Sequence, residues 1–232
     1  MNVPRADYVH FSIMKSLCSL AVYWEVAPGH GEEQIKRAVE DLVFLNDHYA
    51  KSKAFLKVNG KPVIFVYGRV MGQVPLASWP AILDQTRAKT GDLVLMADGY
   101  REDFARLFNG LHEYNNCSSV KGKDPDELRA WAERHYSRAV HVARTQNRIS
   151  CVTVIPGYDD TKIRKPGLNA ERQDGQTYRV LWDEAIKAKP DWVLITSWNE
   201  WHEGSEIEPS LEYGQKYLDL TRELAKKFFD QE

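Results

Sequence analysis

What this chain lacks narrows it first. Cysteine is scarce: Cys18, Cys117 and Cys151 are the three among 232 residues, an odd count with no metal-ligand spacing. No full disulfide framework can be built from them, so buried free thiols are the expectation. No apolar run approaches the ~18 residues of a membrane-spanning helix. The start, MNVPRADYVH, has no basic region followed by an apolar one, so no signal peptide is visible and the compartment is left open. Net charge is nearly absent as well: 31 Lys and Arg against 33 Asp and Glu give a formal −2 at pH 7. The short basic clusters at Lys51–Lys53 and Lys226–Lys227 are flanked by acids and read as solvated faces, so no nucleic-acid partner is expected. No G-x-G-x-x-G follows a strand and no Walker-type loop occurs, which removes support for a nucleotide.

Aromatics, in contrast, are plentiful at 11%, with seven Trp. That exceeds what core filling needs, and aromatic faces suit flat apolar ligand surfaces such as sugar rings; ordinary packing is the alternative for each Trp. Short apolar strands (20–26, 61–68, 92–100, 111–115, 149–158, 191–198) alternate with amphipathic helices (31–50, about 78–89, 101–110, 124–148, 178–188, 214–228). On the helix 124–148, Leu128, Trp131, His135, Ala139 and Val142 form one stripe, which makes His135 a core or boundary residue rather than a ligand. Strands apolar on both faces, each followed by a helix, imply a parallel sheet with helical crossovers. A doubly wound sheet would gather its ligand residues at one switch point. Here polar and aromatic residues recur after strand ends, at Trp24 and Glu25, Tyr67, Asp98, Glu113, Tyr158 to Asp160, and Trp198 to Glu203. Repetition on every strand favours the (β/α)8 TIM-barrel type of α/β fold.

Six strand–helix units are counted, where a full barrel has about eight in ~250 residues. The expectation is therefore one incomplete barrel domain over 1–232, its first two strands missing and residues 1–19 a remnant of the preceding unit. Such a fragment leaves sheet edges beside strands 20–26 and 191–198. Exposed edges invite pairing, so a homo-oligomer is a candidate assembly.

The chemistry concentrates after the last strand, in TSWNEWHEGSEIEP (196–209). Glycoside hydrolysis usually uses two carboxyls, one protonating the leaving oxygen and one acting as nucleophile or base. Glu200 and Glu203, three residues apart past a strand end, can point into one site from one turn. Trp198 and Trp201 beside them are expected to dry the pair and raise one carboxyl's pKa. A lone E-x-x-E would read as a solvated acidic loop.

This stretch resembles the last-strand motif of glycoside hydrolase family 99 and of family-99-like domains. AVYWEVAPG (21–29), FLKVNGKPVIFVYG (55–68) and VIPGYDDTKIR (154–164) agree in order, over roughly residues 20–225. The resemblance implies an endo-acting α-mannosidase on a (β/α)8 barrel, working with retention on an oligosaccharide or polysaccharide, with no metal or cofactor. It implies that Glu203 is the general acid/base and that Glu200 deprotonates the substrate's own 2-hydroxyl, giving a 1,2-anhydro sugar opened by water. Asn199 and His202 would orient the pair, and Glu25, Tyr67, Tyr158, Arg164, Trp198, Trp201 and Glu208 would line subsites. Two readings stay open beside these: Arg164 as a partner of Asp159 or Asp160, and Glu25 as half of a structural ion pair. Asp159-Asp160 reads as loop structure rather than a cation site. The chain departs from the family pattern at Trp198, where Phe is frequent, and at Ser205-Glu206, where Thr-Gln is common. The alternative to an enzyme is a non-catalytic carbohydrate-binding or remnant barrel.

Overall fold

The computed structural model describes residues 19–230. The expected remnant, apart from Ser19, and Cys18 lie outside the described residues. The chain divides into two compact units: one runs to His112 and includes Val142–Ile149, the other holds Glu113–His141 and the chain from Ser150 onward.

The first unit begins with β1 (Val22–Trp24) and α1 (Gly31–His48), followed by β2 (Lys57–Val58) and β3 (Lys61–Val66). β2 and β3 form a hairpin whose two-residue turn, Asn59-Gly60, has φ of 51° and 76°. Positive φ at both positions is what the primed hairpin turns require, and Asn-Gly adopts it most readily. Then come α2 (Gly68–Gln73), α3 (Trp79–Thr90), β4 (Val94–Asp98), α4 (Glu102–Leu107) and β5 (Gly110–His112). β1, β3, β4 and β5 pair in that order, all parallel, with Val22 opposite Ile64, Val63 opposite Val94 and Met96 opposite Gly110. The apolar strand faces and the helices build one core from Trp24, Leu42, Ile64, Trp79, Ile82, Leu95 and Phe108. Each large side chain buried there contributes about 1.5–3 kcal/mol. On the buried face of α1, Gln34 is the polar exception: its amide donates to the carbonyls of Ala27 (2.8 Å) and Gln73 (3.1 Å), and Gln73 accepts the Ala27 amide in return (2.8 Å).

The second unit holds α5 (Cys117–Val120), most of α6 (Pro125–Arg144) and β6 (Ile149–Val154), then β7 (Tyr158–Asp159), β8 (Asn169–Ala170), α7 (Gln176–Ala188), β9 (Trp192–Ile195) and α8 (Lys216–Phe229). α6 starts from a capping box. Asp124 Oδ1 accepts the amides of Asp126 and Glu127, and Glu127 reaches back to the Asp124 amide at 3.2 Å. Pro125 occupies the first helical position, where its missing N–H costs nothing. β6 and β9 pair in parallel, Cys151 opposite Trp192 and Val154 opposite Ile195. α7 and α8 pack through Tyr178 on Tyr217 (ring centroids 6.1 Å) and Trp182 on Phe228 (6.5 Å).

Among the described residues, six parallel strands are each followed by a helix, as the apolar periodicity leads one to expect. The strand expected over 149–158 is shorter: β6 stops at Val154, and residues 158–159 instead start the antiparallel β7–β8 hairpin. Pro156-Gly157 separates the two, since proline cannot donate to a ladder. Among the described residues no helix is long and apolar enough to cross a membrane.

Candidate active site

The chain leaves β9 and makes a loop pinched at its neck by two serines. Ser197 N donates to Ser205 O (2.9 Å), their hydroxyls lie 2.9 Å apart, and Ile207 N returns to Ser197 O at 3.0 Å. Inside the loop, Ser197 Oγ accepts the Glu200 amide (2.9 Å) and Glu200 O accepts the Glu203 amide (3.1 Å). Trp201–Glu203 therefore form one 3-10 turn with Glu200 as its N-cap. Glu200 and Glu203 thus stand at the two ends of one hydrogen-bonded turn, three residues apart. Gly204 ends the turn at φ 57°, and a Cβ there would stand 3.1 Å from the Asp159 amide, so the Glu-Gly junction is required by backbone conformation and by space.

The two carboxylates sit in different surroundings. Glu200 is exposed, and Glu203 keeps 17% of its side-chain surface. Arg164 Nη2 donates to Glu203 at 2.8 Å, while its Nη1 donates to Asp160 (2.6 Å) and to the Tyr158 hydroxyl (2.7 Å). Tyr158 in turn donates to Asp160 at 3.0 Å, and Asp160 accepts the Leu168 amide at 2.6 Å. The Leu168 amide first, and then Arg164, hold the Asp160 carboxyl below the usual carboxylate range. Burial first, then the Asp160 contact, pushes Tyr158 well above its ordinary value. Arg164 is raised by Asp160 and Glu203. Around neutral pH the network thus consists of an anion, a neutral phenol and a cation, with the cation aimed at Glu203. Arg164 is thus a partner of Asp160, as one of its two readings has it, and it contacts Glu203 as well. Asp159 bonds its own loop instead, accepting Thr161 N (3.0 Å) and Thr161 Oγ1 (2.6 Å). No cluster of His, Cys, Asp or Glu able to hold a metal occurs among the described residues.

Behind the turn stands a residue the sequence reading passed over. Arg172 Nη2 donates to the carbonyls of Gly204 and Glu206, each at 3.0 Å, and lies 3.0 Å from the Glu206 carboxylate. Its guanidinium also lies over two edge-on neighbouring rings, Tyr213 (4.2 Å) and Tyr217 (4.4 Å). Glu206 is thus a structural anion rather than part of an open acidic cluster. Glu208 accepts the Trp201 indole N–H at 2.9 Å.

The tryptophans depart from expectation. Trp198 and Trp201 are 50% and 47% exposed, so neither walls the carboxylates off from water. Asn199 and His202 are exposed on the same turn. The second unit brings together Glu200, Glu203, Tyr158, Arg164, Trp198, Asn199, Trp201, His202 and Glu208. Glu25 and Tyr67 belong to the first unit, just past the ends of β1 and β3; Glu25 is exposed, and Tyr67 packs edge-on against Tyr23 at 5.6 Å. Cys117 and Cys151 are free and buried. Burial raises both thiols, and for Cys117 the Glu203 and Asp160 charges add to it, so neither is a ready nucleophile near neutral pH.

The family model for glycosyl hydrolase family 99 matches residues 12–231. The chain belongs to that family. It is 37% identical over 224 residues to the glycoprotein endo-alpha-1,2-mannosidase of Mus musculus, covering 82% of this chain and 46% of that protein. To the enzyme of the same name from Xenopus laevis it is 25% identical over 219 residues, covering 81% and 47%. The chain spans about half the length of the curated relatives it matches. The family 99 endo-alpha-mannosidase from Bacteroides thetaiotaomicron superposes with a TM-score of 0.71 at 22% identity, over 91% of this chain and 67% of that one. A complex of that enzyme with bis-tris-propane gives 0.73, with 70% of its chain covered. This likeness shows the fold, an incomplete (β/α)-barrel type of α/β architecture.

Proposed function

We propose that this family 99 domain is a glycosidase that cleaves α-linked, mannose-type glycan chains internally and with retention, through the substrate's own 2-hydroxyl. Glu200 takes the proton of that hydroxyl as its oxygen attacks the anomeric carbon. Glu203 protonates the departing glycosidic oxygen. Water then opens the resulting 1,2-anhydro sugar, losing a proton to Glu203 while Glu200 returns one to the 2-oxygen. Neither carboxylate becomes covalently attached, which puts the reaction among the substrate-assisted departures from the two-carboxylate scheme. The observation that carries this reading is the single 3-10 turn after β9 that presents both carboxylates, one free in solvent and one held by a fixed arginine. In this scheme Arg164 acts on the sugar only through Glu203. Glu25, Tyr67, Tyr158, Trp198, Asn199, Trp201, His202 and Glu208 are the proposed sugar contacts, and no step calls for a metal or cofactor.

The test is incubation of the purified chain with α-1,2-mannosyl oligosaccharides and α-mannan carrying a reducing-end label. Loss of general acid catalysis is worth ~10²–10⁴ in rate, so Glu203→Gln should all but abolish cleavage. Cleavage that survives this substitution would refute the assignment. A second reading, a non-catalytic carbohydrate-binding domain, is favoured by the short span of this chain relative to its relatives. It would show as glycan binding by a folded chain that cleaves none of these substrates.

A further inference from the structure

Within the first unit, a cavity of about 350 Å³ opens at the N-terminal ends of the strands. Lys61 begins β3, Asp92 and Leu93 lead into β4, and Asn109 leads into β5. Arg148 stands just before β6, and α3 adds Thr86 and Arg87. Tyr67 follows the other end of β3, and none of the residues proposed for catalysis or sugar contact lines this cavity. What it binds is therefore a question separate from the glycosidase reading.

Its charge is one-sided. Four bases line it, Lys61, Arg87, Arg106 and Arg148, against one acid, Asp92. Asp92 accepts Lys61 Nζ at 2.7 Å and Arg87 Nε at 3.0 Å, and Arg87 Nη1 reaches Asp84 at 3.5 Å. Arg106 comes within 3.8 Å of Glu102. Arg148 has no carboxylate partner among the described residues. Its Nε donates to the Ala105 carbonyl (2.7 Å) and its Nη2 to the Arg106 carbonyl (3.4 Å). Carbonyls hold a guanidinium in place without neutralising it. Elsewhere the chain closes paired cations on a buried acid, as Arg129 and Lys187 both do on Glu184 at 2.8 and 2.7 Å. Here donors are left over instead. Arg87 Nη2 and Arg148 Nη1 find no acceptor among the described residues. Thr86, 3% exposed, keeps a buried hydroxyl with no hydrogen-bond partner. A buried polar group left unpaired is costly, so such a group in the wall of a basic cavity points to a ligand that pairs it.

The donor set selects the ligand. Guanidinium N–H groups and a hydroxyl around one space match a tetrahedral oxyanion, and Arg is the side chain best shaped to grip phosphate. Leu83, Leu93 and Leu107 line the rest of the cavity. The volume lies at the lower end of the ~300–1,000 Å³ usual for small-molecule sites, which leaves room for more than the anion. In this fold type the N-terminal ends of the strands ordinarily serve stability, but a purely structural cluster has no use for an open buried donor.

We propose that this cavity binds the phosphate group of a small phosphomonoester. The probes are glucose 6-phosphate and inorganic phosphate, titrated calorimetrically into the whole chain at low ionic strength. The ester should bind the tighter of the two, because only its body reaches the leucines. Arg87→Gln, at a side chain 63% exposed and so harmless to folding, should weaken the ester about tenfold or more, the worth of a charge-assisted hydrogen bond. Thr86→Val keeps the branched shape and removes only the hydroxyl. It should weaken binding severalfold while the urea midpoint holds or rises, since an unpaired buried group has been removed. A structural role for Thr86 would show the reverse, a lower midpoint with binding untouched, and would overturn the site. So would the absence of binding by either probe, or binding that neither substitution alters. Equal affinity for the two probes would overturn the ester and leave a site for the free ion.

Discussion

In the first unit, His112 is fully buried at the end of β5, its Nε2 2.6 Å from the Tyr23 hydroxyl, and burial pushes its pKa down to about 4. It is a neutral group in a neutral setting. The second unit instead buries an ionised pair, Arg172 and Glu206, with 9% and 6% of their side chains exposed. The one can be taken out of water at moderate cost because it carries no charge. The other can be buried because each charge has the other, two carbonyls and two aromatic rings around it. Beside that buried pair, Arg164 and Glu203 repeat the same chemistry at 2.8 Å with Arg164 49% exposed. Buried, the arginine–glutamate contact is architecture. At the surface, it positions the proposed acid.

The largest loss is expected at Arg172. Replacing it with methionine leaves Glu206 buried without a counter-charge, a change that typically costs ~3–5 kcal/mol. Urea unfolding should show this loss. The double substitution Arg172→Met with Glu206→Leu should recover most of it, because removing both charges together is often neutral. A single substitution costing less than about 1 kcal/mol would mean that the pair is not the keystone of the loop.

Acid tests the other half. Below about pH 6.5 an unfolded His112 takes up a proton that the folded one, at about 4, refuses. The unfolded state binds more protons in that window, so stability falls as pH drops from about 6.5 to 4 and the loss levels off below. Integrated, the shift is worth about 3 kcal/mol. His112→Gln should flatten the stability–pH curve over that range. The depressed Asp160 carboxyl acts with the opposite timing. Its contribution is present above the ordinary Asp value near 3.9 and is lost only as pH falls through its lower folded value. The two units should therefore yield to acid in sequence, the first before the second. Residue-resolved hydrogen exchange at pH 5 checks the order.

The sequence carried some of these features openly and hid others. The six parallel strands are legible as short runs apolar on both faces, and the long helices because burial on a 3.6-residue period leaves a pattern in the chain, as Leu128, Ala139 and Val142 do on α6. The β7–β8 hairpin is not legible, since strands of two residues have no period. The Glu200–Glu203 turn is readable because its partners are neighbours: Ser197, Trp201 and Gly204 all lie within four residues of one of the two. Arg172 is silent because what it binds is two backbone carbonyls and rings some forty residues on, and carbonyls leave no letter in a sequence. For the same reason Glu206 reads as one more acid in a cluster when it is the half of a pair whose other half comes 34 residues earlier. Gln34 reads as a surface residue because its acceptors are also main-chain atoms.

The surface pair should act on activity rather than on stability. Asp160→Asn keeps the shape of the network but removes the charge that aims Arg164, so Glu203 loses a fixed partner. Misplacing a catalytic group by a fraction of a bond length to one ångström costs up to ~10²-fold. The expected result is a 10–100-fold drop in kcat at nearly constant KM, with a urea midpoint close to that of the unsubstituted chain. Arg164→Lys should not rescue it, because an ammonium cannot serve Tyr158, Asp160 and Glu203 from one planar fork. A fall in stability as large as that of Arg172→Met would erase the distinction between the two pairs.

The smallest effect belongs to Trp201→Phe. An aromatic ring is retained, while the indole N–H donated to Glu208 and part of the stacking area are lost. A hydrogen bond in such an exposed position contributes at the low end of ~0.5–1.5 kcal/mol, so folding stability should barely change. The ring would nevertheless be free to turn on the open turn, and a sugar that stacks on it would have to order it first. That ordering costs about 0.5–1.5 kcal/mol, which should appear as a severalfold weaker KM with kcat preserved. If instead kcat falls and KM does not, Trp201 is holding the carboxylate turn in shape rather than meeting the glycan, and its place is with Arg164 among the positioning residues.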